Sequence, residues 1–241
     1  MNKQFERTAS LLGEEALDLL SHSHIAVFGI GGVGGYVAEV LARSGVGELT
    51  LFDKDCVDIT NLNRQIIALH STVGEPKVEV MARRIADINP DCVVHTCHMF
   101  YLPENADEVD LTQFSYIVDC IDNVTAKLEL IRRCNRLNLP IISSMGAANK
   151  LDATAFRVSD ISKTQVDPLA RILRQRLRRE GIRHLKVVYS EEPPLSPRIP
   201  IESEGRIVPA SNAWVPPAAG LVIGGEVVKD ICSKSTSQLP S

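Results

Sequence analysis

Along the first 147 positions, short continuous apolar runs alternate with segments whose apolar residues recur every three or four places. The runs "HIAVFGI", "ELTLFD", "CVVHTC", "FSYIVDCID" and "LPIISSMG" read as strands. Between them, "VGGYVAEVLARSG" gathers Val33, Val37, Val40 and Leu41 into one helical stripe, and a helix from about Glu75 to Asn89 turns Val78, Met81, Ile85 and Ile88 inward. A third helix is "VTAKLELIRRCNRLN". Ahead of all of these, "NKQFERTASLLGEEALDLLSHS" places Leu11, Leu12, Ala16, Leu19 and Leu20 at helical spacing. Strands alternating with helices of this length predict right-handed crossovers and a parallel sheet.

After Ala147 the pattern changes. "LDATAFRVSDI" predicts a further strand or two, "DPLARILRQRLRREGI" an amphipathic helix with Leu169, Ile172, Leu173 and Leu177 on one side, and "HLKVVYS" a strand. Residues 190–213, rich in Pro, Ser and Glu, read as a mobile loop, and "PPAAGLVIGGEVVKDICS" as a closing helix started by prolines. The tail "KSTSQLPS" is expected to fray. The expectation is one domain over 1–241: a helical arm at 1–22, a nucleotide-binding core at 23–147 and a substrate-side extension at 148–241. No run approaches the ~20 apolar residues of a membrane span, and no secretion signal is evident. A charge of −4 over 241 residues argues against wholesale coating of nucleic acid, although local basic patches remain open.

The first strand–helix junction, "GIGGVGG", supplies Gly29, Gly31, Gly32 and Gly34, glycines that permit a tight turn and bring backbone N–H groups to a phosphate at a helix N-terminus. Asp53, at the end of the second strand, is placed to accept ribose hydroxyls. A dehydrogenase would share these features. "DKDCVDITNLNRQ" then adds Asp55, Asn61, Arg64 and Gln65, Lys77 starts the next helix, and "DCIDN" sets Asp119, Asp122 and Asn123 at the same edge of the sheet. Singly, Lys77 reads as a solvated helix-start lysine, Arg64 as a surface arginine and Asp122 as an N-cap. Converging on the glycine turn, they supply the cations and the Mg²⁺ carboxylate that attack on a phosphoanhydride requires, so ATP is favoured over NAD.

In this order, GxGGVG, D-K-D, N-x-N-R-Q, G-x-x-K-V and D-x-x-D-N resemble the adenylating domain of ubiquitin-activating-type (ThiF-like) enzymes, over about Phe5 to Ala147. The resemblance implies a Rossmann-like α/β fold, a doubly wound, mostly parallel sheet with an N-terminal helix and a C-terminal α+β extension. It implies that Asp53 holds the ribose, Asn61 and Arg64 the phosphates, Lys77 the α-phosphate region and Asp122 the Mg²⁺. It further implies that Arg7 reaches the ATP of a neighbouring subunit, hence a homodimer. Many members carry serine after the last motif glycine, where this chain has Gly35.

Such enzymes place AMP on a carboxylate. Relatives that activate sulfur carriers bind zinc through two C-x-x-C pairs. Here Cys56, Cys92, Cys97, Cys120, Cys134 and Cys232 form no such pair, and no cysteine lies between Met145 and Asp230, so zinc is not expected and a protein-tail substrate is disfavoured. Instead Arg171, Arg174, Arg176, Arg178, Arg179, Arg183 and Lys186 cluster in an otherwise acidic chain. A solvated helix face is the plain reading of such a run. A phosphate backbone is the functional one, with Arg171, Arg174, Arg178 and Arg179 as candidate contacts to a polyanionic substrate, which the resemblance below makes tRNA. "SSMGAANKLD", "SDISKTQVDPLA" and "LKVVYSEEPP" resemble the tRNA threonylcarbamoyladenosine dehydratases. That resemblance implies ATP-dependent cyclisation of a modified adenosine beside the anticodon, in the cytoplasm and without an enzyme thiol. A ubiquitin-like or sulfur-carrier substrate, an NAD dehydrogenase and a non-catalytic nucleotide-binding module stand as rivals. A bound monovalent ion and a sulfur-transfer partner are not legible in the sequence.

Overall fold

The computed structural model describes residues 2–203 and 205–236. The N-terminal arm is two helices, α1 (Glu6–Leu12) and α2 (Glu14–Ser21), because Gly13 between them takes a φ of +90°. The break turns Leu11 to solvent, 83% exposed, while Ala16 and Leu20 are buried. Residues 237–241 of the tail expected to fray lie outside the described residues, and its first three positions continue the last helix.

The core alternates as the apolar pattern predicts: β1 (His24–Phe28), α3 (Gly34–Arg43), β2 (Glu48–Phe52), α4 (Lys77–Ile88), β3 (Val93–Cys97), β4 (Tyr116–Asp119), α5 (Val124–Leu137) and β5 (Ile141–Ser144). Beyond it come β6 (Phe156–Asp160), α6 (Pro168–Arg179), β7 (Lys186–Ser190), a hairpin of β8 (Glu202–Ser203) and β9 (Arg206–Ile207), and α7 (Val215–Thr236). One sheet runs β3-β2-β1-β4-β5-β7-β6, parallel throughout except β6, which returns antiparallel beside β7. The chain therefore winds outward from β1 in both directions, and the crevice where it reverses opens between the carboxyl ends of β1 and β4.

Alternation along the strands divides the core. Ile25, Val27, Leu49, Leu51 and Ile142 face α2, α3, α4 and α7. The other face stacks Phe28 on Phe52, ring centroids 4.2 Å apart, and packs α5 and α6 beneath β5 and β7. Helix α7 crosses α3 with almost no gap: a Cβ on Gly224 would stand 2.6 Å from that of Val40. On α6 the buried stripe is Ala170, Leu173 and Leu177, whereas Ile172, expected inward, is 39% exposed.

Candidate adenylation site

β1 delivers the chain to Gly29, whose φ of +91° admits glycine and whose missing Cβ would lie 2.7 Å from the Cys120 carbonyl of the neighbouring β4 end. Gly34 closes the turn, since a Cβ there would overlap the Gly29 carbonyl at 1.8 Å. These two glycines shape the junction, while Gly31 and Gly32 face a cleft of about 660 Å³. At Gly35 a serine's Cβ would meet Ile66 at 3.3 Å.

Asp53, one residue past β2, accepts hydrogen bonds from the backbone N–H of Ile30 at 2.6 Å and of Asp55 at 2.9 Å. It locks the glycine turn to β2 and keeps lone pairs for ribose hydroxyls. Lys77 is 5% exposed and its Nζ stands 3.0 Å from Asp55, which rules out the solvated helix-start reading. Asn61 accepts from the Asp58 N–H, closing a capping box beside the cleft it lines. Arg64 donates to the Thr60 carbonyl and to Asn63 but meets no carboxylate among the described residues, and burial lowers its pKa. Gln65 is buried with its Oε1 lacking a hydrogen-bond partner among the described residues. Asp122 is exposed on the cleft and has no ion pair or hydrogen bond among the described residues. The helix cap assigned to it belongs to Asn123, which accepts from Ala126 at 3.0 Å.

The cleft thus gathers Gly29, Gly31, Gly32, Asp53, Asp55, Asn61, Arg64, Gln65, Lys77 and Asp122, and leaves Gly34 and Asn123 in structural roles outside its lining. Asp119 is structural too: fully buried, it accepts from Ser143 at 2.6 Å and lies 3.0 Å from Lys127 Nζ. Arg7 is exposed on α1 and absent from this cleft. Phe5, two residues before it, packs by Gly45, past the end of α3 opposite the glycine turn.

For the opposite wall the sequence offered a substrate-side extension at 148–241 and the segments "SSMGAANKLD" and "SDISKTQVDPLA", without singling out its residues. That wall consists of residues 144–150 after β5, Asp167 to Leu169 at the head of α6, and Pro194, Val208, Pro209 and Ser211. Lys150 is 4% exposed and donates to the Glu192 carbonyl; burial lowers its pKa against the pull of Asp167 and Glu192. Asp167 accepts from Gly146 and Ala170, capping α6, and burial raises its pKa. The Asp-Pro pair announces a helix start; nothing local announces Lys150. Within 190–213, expected as a mobile loop, Leu195, Ala210 and Ser211 are tied across the cleft. Leu195 N–H donates to Asn149 at 2.7 Å, Asn149 N–H to Ala210 at 2.7 Å, and Asn63 to Ser211 at 3.1 Å. Burial pushes the Cys120 thiol, which lines the cleft, up to about 12, so it stays protonated.

None of the four candidate tRNA arginines lines the cleft, although α6 points its first turn there. Arg171, Arg178 and Arg179 are exposed without ion pairs among the described residues. Arg174 instead donates to Thr164 at 2.6 and 2.8 Å, bracing the connection into α6. Glu180, the acid among them, is taken up by Arg132 of α5.

Comparison with known proteins finds matches over nearly the whole chain. The ThiF family model matches residues 5–234. The chain is 47% identical to the tRNA threonylcarbamoyladenosine dehydratase of Bacillus subtilis, covering 96% of this chain and 95% of that one. It is 42% identical to the Escherichia coli protein of the same name, over 88% and 78%. The crystal structure of the E. coli tRNA N6-threonylcarbamoyladenosine dehydratase, TcdA, in complex with AMP superposes with a TM-score of 0.89 at 39% identity, covering 98% of this chain and 96% of that one. By motif order, topology and similarity over nearly its whole length, the chain belongs to the ThiF family.

Proposed function

We propose that this protein is an ATP-dependent tRNA threonylcarbamoyladenosine dehydratase. One observation carries the reading: in a chain 47% identical to such an enzyme, one cleft joins the glycine turn to Asp53, Arg64, Lys77 and Asp122, with neither Arg64 nor Asp122 in an ion pair among the described residues. In a folded protein a half-buried guanidinium without a counter-charge and an orphaned amide oxygen on Gln65 cost free energy unless a ligand completes them. A triphosphate and its ribose supply those partners.

The residues then divide the work. Asp53 accepts ribose hydroxyls while its own backbone bonds hold the glycine turn still. The N-terminus of α3 and Arg64 take the phosphates, and Lys77, oriented by Asp55, faces the α-phosphorus. Asp122 fits Mg²⁺, because its carboxylate is exposed with free lone pairs; bound there, the ion neutralises triphosphate charge. The threonyl carboxylate attacks the α-phosphorus and pyrophosphate leaves. Arg64 and Lys77 stabilise the charge that moves onto the phosphoryl oxygens. The urea group of the same side chain then attacks the activated carbonyl, AMP departs with the original carboxylate oxygen, and the ring closes with net loss of water. The protonated Cys120 thiol fits a route without a thioester.

The same reading places Arg7 in trans on a partner subunit's nucleotide and the enzyme in the cytoplasm with its tRNA. None of the helices among the described residues is long and apolar enough to cross a membrane. Mass spectrometry of tRNA nucleosides after incubation with ATP and this protein tests the proposal. The modified adenosine should become lighter by one water, with AMP and pyrophosphate released in equal amount. Adenylation of a small carrier protein instead, with the tRNA untouched, would refute it.

A further inference from the structure

A second group of chemistry-bearing side chains lies at the amino edge of the sheet and shares no residue with the nucleotide cleft. His24 opens β1, Glu48 opens β2 and His95 sits on the edge strand β3. Parallel register sets His24 beside Glu48 and His95 beside Thr50, and the two-residue period puts all four side chains on one face. His95 Nε2 is 2.8 Å from Glu48 Oε1, and His24 Nδ1 is 3.6 Å from the same oxygen. The donor atoms of all three residues lie within 4.8 Å of one another.

The surroundings orient these donors. His24 Nε2 is 2.8 Å from the hydroxyl of buried Thr50, and the ring of Phe114 meets the His24 ring edge-on at 4.8 Å. With its far nitrogen held by a hydroxyl, the His24 ring turns Nδ1 toward the carboxylate, as a ligating imidazole fixed from behind does. The 3.6 Å gap to Glu48 is too long for a hydrogen bond. Two donors sharing a tetrahedral zinc ion at its usual bond lengths stand about 3.3 Å apart, and the two separations from Glu48 Oε1 lie on either side of that value.

We propose that His24, Glu48 and His95 bind one divalent transition-metal ion of the zinc class, with the remaining position left to water. Two imidazole nitrogens and one carboxylate oxygen suit Zn²⁺, Ni²⁺ or Co²⁺ and suit Mg²⁺ or Ca²⁺ poorly. The ion would clamp β3, the partly exposed edge strand, to the two strands inside it. Glu48 also borders a wide groove open to solvent, which gives the ion access. The expectation of no zinc concerned C-x-x-C pairs and does not touch this donor set.

Equilibrium dialysis of the whole chain against Zn²⁺, with Co²⁺ titration read by visible absorption, tests the site. One ion should bind per chain, and Co²⁺ should give the intense band of a four-coordinate centre. His95→Ala, at an exposed position, and Glu48→Gln, which keeps the side chain's shape, should each weaken binding at least ~10-fold and abolish the band. His184→Ala, an exposed histidine on another edge, should change neither. Circular dichroism checks that the variants fold, and Glu48→Gln decides alone if His95→Ala does not. Wild-type protein that fails to hold Zn²⁺ at millimolar concentration, or variants that bind as wild type does, would overturn the proposal and leave a hydrogen-bonded His–Glu–His cluster.

Discussion

The two walls of the cleft are built on opposite plans. The nucleotide wall takes its groups from strand ends and helix starts between Gly29 and Asp122, and among the described residues it leaves Arg64 without a carboxylate and Asp122 and Gln65 Oε1 without protein partners. The facing wall draws on segments from Ser144 to Ser211, and its charged groups are already engaged, Lys150 with the Glu192 carbonyl and Asp167 with Gly146 and Ala170. An unpartnered polar group has free energy to gain from a ligand; a partnered one mainly shapes the space around it. ATP is therefore expected to be gripped by the first wall and the acceptor positioned by the second.

The largest effect should come from breaking the first wall. Arg64→Ala or Asp122→Ala should lower AMP formation by ~10²-fold or more, while the thermal midpoint moves little. Lys77→Ala is a poorer probe, because this lysine is buried and its removal also disturbs the fold; Lys77→Met keeps the stem and removes the charge. Wild-type turnover in Asp122→Ala would erase the contrast between the walls.

Mixing sharpens the comparison further. If Arg7 completes the neighbour's nucleotide wall, Arg7→Ala and Asp122→Ala are each inactive alone. Randomly mixed dimers should then recover about a quarter of wild-type activity, since one site in each heterodimer is whole. No recovery would place Arg7 in cis or outside the reaction.

The facing wall should respond differently. Lys150→Met should leave ATP affinity within about threefold of wild type and cut turnover by about tenfold, measured by nucleotide binding beside tRNA cyclisation. Equal loss in both would merge the two walls into one. On α6, replacing Arg171, Arg178 and Arg179 should weaken tRNA binding a few-fold and flatten its salt dependence. Arg174→Ala should instead lower stability, because that side chain braces Thr164. An unchanged salt slope would return the helix to an ordinary solvated face.

The smallest effect belongs to a charge on neither wall. Glu39 of α3 is buried, which opposes ionisation, yet hydrogen bonds from Arg84 and Arg43 hold its carboxyl below the usual 4.5. A depressed carboxyl stabilises the fold above its unfolded pKa and loses that contribution as pH falls through the folded one. Glu39→Gln should therefore cost about 2 kcal/mol at neutral pH. The difference from wild type should shrink below about pH 4 in denaturant melts, with ATP affinity unchanged.

Much of this was legible residue by residue. Gly29, Asp53 and Arg64 come from one contiguous strand–turn–helix–strand stretch, so their placement follows from periodicity and from the rule that an open α/β sheet binds at its reversal point. Other readings needed neighbours. Asp122 and Asn123 are adjacent acceptors before one helix, and only the backbone path shows that Asn123 caps it while Asp122 is left for the cleft. Arg174 and Arg178 look alike on a helical wheel, yet Thr164 lies within reach of the first alone. Leu11 fits the helical stripe but lies beyond reach of the core, because Gly13 breaks the arm.

By itself the amino-acid sequence determined the parallel sheet, the glycine turn and the nucleotide half of the cleft, because hydrophobic period and motif spacing are local properties that survive in one dimension. Tertiary structure alone decided the second wall, the buried state of Lys77 and Lys150, and the meeting of His24, Glu48 and His95. Those features join segments from 22 to more than 40 positions apart, and burial and close approach are properties of the folded chain that no local pattern encodes.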